Sequence, residues 1–218
     1  TITTTTTTTT PAIIQGATAM AELTVAAGLA RGLMRFAVSK GASQTALAER
    51  SGIDLKDLQD QDKRIPFASY VALMRAGKDL CGDPALALHY GEKNDLADIS
   101  ILGLIAHAAE TMLDALRQLN RYRGLVIEVD TGTTDRFEHV RKHGELWLVD
   151  NRRNPNDFPE LTESTFARMV GGTRQFGTTP FVKAVHVTHA EPPYRAEYDR
   201  IFQAPVTFES DKNAMLID

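Results

Sequence analysis

The chain has 218 residues, 43% of them hydrophobic, with 28 acidic side chains against 24 basic ones and a net charge of −4. That is enough apolar material for a core without crosslinks, and the single cysteine, Cys81, excludes an internal disulfide framework or a multi-cysteine metal site. The acidic balance argues against a domain that holds nucleic acid by neutralising phosphates, and no apolar run approaches the roughly 20 residues of a membrane span. A cytoplasmic protein with no membrane contact is expected.

The opening "TITTTTTTTTPA" has no apolar face to bury, so residues 1–11 are expected to be a disordered tail. From residue 12 to 124 the pattern is helical. Val25, Leu29, Leu33 and Phe36 fall on one helix face, and the helix should stop at "SKGAS", where Gly41 suits a left-handed turn and Ser43 can cap the next helix. A short helix "QTALAERSG" and an acidic connector follow. Pro66 fits the first turn of a longer helix with Phe67, Val71, Met74 and Cys81 on one face. The stretch "CGDPALALHYGE" gathers reactive side chains, yet it reads as a helix junction: Gly82 ends one helix, Asp83 caps the next and Pro84 sits where no amide donor is needed. "DISILGLIAHAAE" is apolar almost all round, and "TMLDALRQLNRYRG" opens with Thr111 and Asp114 at capping-box spacing.

Past Gly124 the period changes to two. "LVIEVDT", "TDRFEHVRKH" and "ELWLVD" alternate like half-buried antiparallel strands, with turn signals at Gly132 and Gly144. A helix from about Pro159 to Val170, the strand "KAVHVTHA", the short helix "YRAEYDRIF" and the closing strands "VTFES" and "AMLI" complete the chain. The fold class is α+β: an N-terminal helical part (12–124), then a mostly antiparallel sheet with inserted helices (125–218), in one domain.

"QTALAERSGIDLKDLQD" mimics a helix-turn-helix, but its second segment carries Asp54, Asp57, Asp60 and Asp62, which phosphate would repel. No metalloprotease, CxxC or nucleophile-elbow motif is present, so neither metal nor cofactor nor catalysis is expected. Glycines in "VGGTRQFG" follow a helix instead of joining strand to helix, unlike a phosphate loop. His186 and His189 lie three apart and cannot jointly clamp a metal from a regular strand.

Gly52–Leu55, Arg64–Pro66, Gly82–Gly91, Leu102–Tyr122 and the closing "YRAEYDRIFQAPVTFESDKNAMLID" match, in order and spacing, the recurring segments of one family. The chain resembles the N-terminal effector-sensing domain of AraC-type transcriptional regulators, the arabinose-binding-like or ornithine-regulator-like subgroup. That resemblance implies a small-molecule effector, a homodimer, and DNA contact only through a C-terminal helix-turn-helix domain that this chain lacks, as a truncation or a sensor-only protein. The residues put forward for the effector are Trp147, Arg152, Arg153, His107, Tyr122 and His186. Adjacent arginines in "VDNRRNPNDFPE" suit a carboxylate or phosphate, although a charged surface loop explains them too. Trp147 needs a cover. A rival reading makes His107 the axial ligand of a haem carrier, and another makes it a hydrogen-bonded core histidine.

Overall fold

The computed structural model describes residues 23–95, 97, 103–105, 108–109, 111–132, 134–173 and 182–217. Strand β1 (Thr24–Ala26) leads directly into α1 (Ala27–Ser39). Val25 therefore belongs to a strand, and the helix face expected to start there begins with Leu29 and Leu33 instead. The predicted stop holds: Gly41 has φ +99°, and the Ser43 hydroxyl accepts a hydrogen bond from the Ala46 amide at the head of α2 (Gln44–Ser51). Pro66 ends the short strand β2 (Arg64–Pro66), which pairs antiparallel with β1, and α3 (Phe67–Cys81) starts one residue later than expected.

Gly82, at φ +58°, closes α3 in the left-handed conformation. The Asp83 carboxylate accepts from the Ala85 amide in a turn that precedes α4 (Leu86–Lys93); Ala85 holds the cap position, so Asp83 does not cap the helix and Pro84 lies before its first turn, contrary to the expectation. Thr111 caps α5 (Met112–Tyr122) by accepting from the Asp114 amide.

"LVIEVDT" is not a strand of the main sheet. Val126 and Ile127 are consecutive and both buried, so the alternation is broken, and Ile127 forms only an isolated bridge to Val25. Glu128 folds back instead, its carboxylate accepting from the Thr24 amide at 2.9 Å and the Thr24 hydroxyl at 2.7 Å. The segment thus seals the edge of the small sheet in the helical half.

β3 (Phe137–Lys142) and β4 (Glu145–Asp150) form a tight hairpin through His143 and Gly144, both at positive φ, which matches the twist of the strands. Helix α6 (Pro159–Thr173) crosses to β5 (Val182–His186), then α7 (Arg195–Phe202), β6 (Val206–Thr207) and β7 (Asn213–Ile217). The sheet order is β3-β4-β7-β5-β6. Every pairing is antiparallel except β5 with β6, which is parallel, so the closing segment is not a simple meander.

Two cores result. Leu33, Leu47, Tyr70, Leu73 and Met74 anchor the helical one; Leu148, Phe166, Val185, Ile201 and Met215 anchor the one under the sheet. The two meet at α4. Leu86, Ala87 and Tyr90 face the first core, while Ala85 and Leu88 face the second. Helix α6 serves both as well, through Leu161 on one side and Phe166, Ala167 and Val170 on the other. Gly91 lets these two helices touch: a Cβ there would be driven into the carbonyl oxygen of Ser164.

Candidate functional site

The residues expected from the sequence to face an effector lie in several places. His107 is outside the described residues. Trp147 and His186 do come together, on the sheet face turned away from α6, with ring centroids 4.8 Å apart and the Lys212 ammonium 5.4 Å from the tryptophan ring. Partial burial holds the His186 imidazole below its usual range, with the Lys212 charge acting in the same direction. Tyr122 closes α5 and packs against the helical core.

The Arg152-Arg153 pair splits. Arg153 is exposed, 3.8 Å from Asp130. Arg152 is buried, neither a surface-loop residue nor an outward-facing fork. Its Nη2 donates to the carbonyls of Pro155 and Phe158 and to the Thr162 hydroxyl, each at 3.0 Å, tying the loop to the first turn of α6. Burial pushes its pKa down to about 10. This is the geometry of a structural clamp.

An open groove lies elsewhere, along α1. Positions 28, 32, 35 and 39 recur every three or four residues and so share a helix face. Gly28 and Gly32 contribute no side chain, and a hollow of about 450 Å³ opens over them, walled by Arg31, Arg35, Ser39 and Asn94. A second hollow of about 730 Å³ adjoins it, sharing Arg31, Arg35 and Ser39 and adding Met34, Val38 and Leu55. Both hollows are open to solvent along part of their extent. Val38 and Leu55, each 38% exposed, give the second hollow an apolar part.

The groove is electropositive. Arg31 donates through Nη1 to the Leu58 carbonyl at 3.3 Å, and among the described residues neither Arg31 nor Arg35 has a carboxylate within ion-pair distance. Arginines elsewhere in the chain are commonly matched, as in Arg50–Asp79, Arg136–Asp150 and Arg200–Glu92. In the sequence the apolar face of α1 is the stronger pattern, and the glycine-arginine face beside it is marked only by spacing. The spacing of "GLARGLMR" was the available signal.

The groove also touches the joint between the two halves. Phe36, on its wall, packs against Tyr90 with ring centroids 5.7 Å apart, and the Tyr90 hydroxyl donates to the Leu29 carbonyl. Asn94, on the opposite wall, offers its carbonyl to Arg168 Nε of α6 at 3.1 Å. The Arg168 guanidinium lies 5.2 Å from the Tyr90 ring centroid, and its Nη2 is buried without a hydrogen-bond partner among the described residues.

Further polar ties cross the same joint. His89 bridges Asp83 and Glu197, and Arg200 forks onto Glu92 with two bonds of 2.8 Å. Burial works to raise the Asp83 carboxyl, but hydrogen bonds from Lys40 and His89 outweigh it and hold the group below the usual range. Deeper in, Glu163 of α6 accepts from the Tyr198 hydroxyl at 2.6 Å and the Tyr194 hydroxyl at 2.9 Å, while its second oxygen has no partner among the described residues. Burial pushes the Glu163 carboxyl up, more than the two tyrosine bonds pull it down. Lys78 of α3 pairs with Glu160 at 2.9 Å, linking the helical half to the start of α6.

Among the described residues the architecture is α+β, with a helical first half, a groove walled by Arg31 and Arg35, and a polar joint to the sheet. A family model, the arabinose-binding domain of AraC transcription regulator, N-terminal, matches residues 41–218, and the chain belongs to that family. The resemblance read from the motifs is thereby shown. No curated protein matches the chain. Among solved structures, it is similar to the transcriptional regulator CdpR from Pseudomonas aeruginosa, at 16% identity and a TM-score of 0.47, over 60% of this chain and 42% of that one. The chain thus spans less than half the length of that regulator. Helix α1, with most of the groove, precedes the residues matched by the family model. No helix among the described residues is long and apolar enough to cross a membrane.

Proposed function

We propose that this chain is the effector-sensing part of an AraC-type transcription regulator, working as a cytoplasmic homodimer and controlling an attached DNA-binding domain. The observation that carries this reading, beside family membership, is the sharing of α4 between two cores. Tyr90 faces the helical core, Leu88 faces the sheet core, and Gly91 seats the helix directly on α6. A small molecule that moves α1 or α4 therefore moves α6 and the sheet it covers.

Such a switch works only through unequal affinity. A compound that binds one arrangement tenfold more tightly than the other biases the equilibrium by about 1.4 kcal/mol, and equal affinity shifts nothing. The sheet side offers an output: β7 lies between β4 and β5, so a change transmitted through α6 reaches the last described strand of the chain. Binding is all this function requires of the domain, and no reaction step is assigned to it.

The test is a metabolite screen by thermal shift, with hits confirmed by calorimetry on this chain. The expected result is at least one saturable ligand that raises the melting temperature and alters reporter expression by the full regulator. A broad panel without a hit, together with a regulator indifferent to all of it, would overturn the proposal.

A further inference from the structure

The structure assigns the effector to the groove along α1 and gives it a chemical class: a small organic anion, with a carboxylate or phosphate head held by Arg31 and Arg35 and an apolar body lying over Val38 and Leu55. This inference deepens the sensing reading above and rests on it.

The head position follows from charge. Arg31 and Arg35 stand one helical turn apart with no acidic partner among the described residues, in a protein whose net charge is negative. Guanidinium forks facing one hollow are suited to bidentate binding of a carboxylate or phosphate. Gly28 and Gly32 clear the space next to the helix that such a head needs; the Ser39 hydroxyl and Asn94 amide already donate to the Phe36 and Tyr90 carbonyls, so the head's charge is met by the two arginines.

The body position follows from the neighbouring hollow. It shares both arginines with the first, and Met34, Val38, Leu55 and Leu58 give it an apolar lining. An inorganic ion would leave that wall wet; an apolar molecule without charge would leave the arginines uncompensated. Only a ligand with both parts uses both hollows. Its head would also lie against Phe36 and Asn94, which contact Tyr90 and Arg168 at the joint.

Octanoate, octanol and inorganic phosphate are suitable probes, titrated by calorimetry into the whole chain and into Arg35→Ala, Leu55→Asp and Arg153→Ala. Arg35 and Leu55 are partly or fully exposed, so these changes should leave the fold intact, which the melting curve verifies. Octanoate should bind at least tenfold more tightly than octanol or phosphate. Arg35→Ala and Leu55→Asp should each weaken it at least fivefold, and Arg153→Ala should not change it. Equal binding of octanol and octanoate, octanoate binding unaffected by Arg35→Ala, or no octanoate binding at all each overturns the anion assignment. The sensing reading stands or falls separately, on whether any screened metabolite binds and changes regulation.

Discussion

The neighbouring residues Arg152 and Arg153 show how differently one side-chain type is used. Arg152 is fixed by three hydrogen bonds inside the protein, whereas Arg153 reaches toward Asp130 from the surface. Arg152→Ala should cost about 2–4 kcal/mol, since it strips two carbonyls and a hydroxyl of their donor, while Arg153→Ala should stay within about 0.5 kcal/mol. Chemical denaturation of both variants measures this. Sequence could place the pair at a strand end but not say which member turned inward, because that depends on where α6 begins.

Glu163 gives a second test at this scale. Its folded pKa lies above its unfolded value, so the folded protein keeps a proton that the unfolded chain releases near the ordinary carboxylate range of about 4.3. Its contribution is therefore most favourable below that range and is lost as pH rises through the folded pKa. Glu163→Gln can still accept from Tyr194 and Tyr198 through its amide oxygen without carrying the charge. The variant should gain melting temperature relative to the parent as pH goes from 4 to 8, and a constant difference across that interval would count against a buried, proton-holding carboxyl.

At the scale of elements, most helices were legible because their caps are local: Gly41, Ser43, Gly82 and Thr111 all act as their chemistry requires. The failures are all non-local. "LVIEVDT" has strand composition, yet its partner is the short β1 and its apolar pair goes into the helical core. "VTFES" yields two strand residues, paired parallel to β5, because the chain returns through α7 instead of a turn. The contact of α4 with α6 was likewise invisible in a single glycine. Gly91→Ala should destabilise the protein by about 1–3 kcal/mol, because the methyl group meets backbone that cannot move aside. Gly77→Ala should cost less, since its nearest obstacle, 2.8 Å away, is the end of the Leu86 side chain. Thermal unfolding of the two variants side by side decides whether the close approach matters.

For the whole molecule, the helical-then-sheet order and the family were readable from motif order, since those motifs are caps and packing segments that the sequence spells out. The groove was not, because which described residues leave a helix face open depends on how the other elements pack around it. Polar and aromatic residues in conspicuous runs are what the sequence offers as contacts, and the fold holds one of them, Arg152, by hydrogen bonds inside the protein. What unites the molecule is the joint of α4 with α6, lined by Phe36, Tyr90, Asn94 and Arg168 on the groove side and by Glu163, Tyr194 and Tyr198 on the sheet side.

Hydrogen–deuterium exchange of the whole chain, with and without saturating octanoate, tests this account most directly. Binding should change protection in α1 and also in α6 and β7, and Gly91→Ala should confine the change to α1. Protection altered only around Arg31 and Arg35 in the parent protein would contradict a sensor that signals from its helices to its sheet.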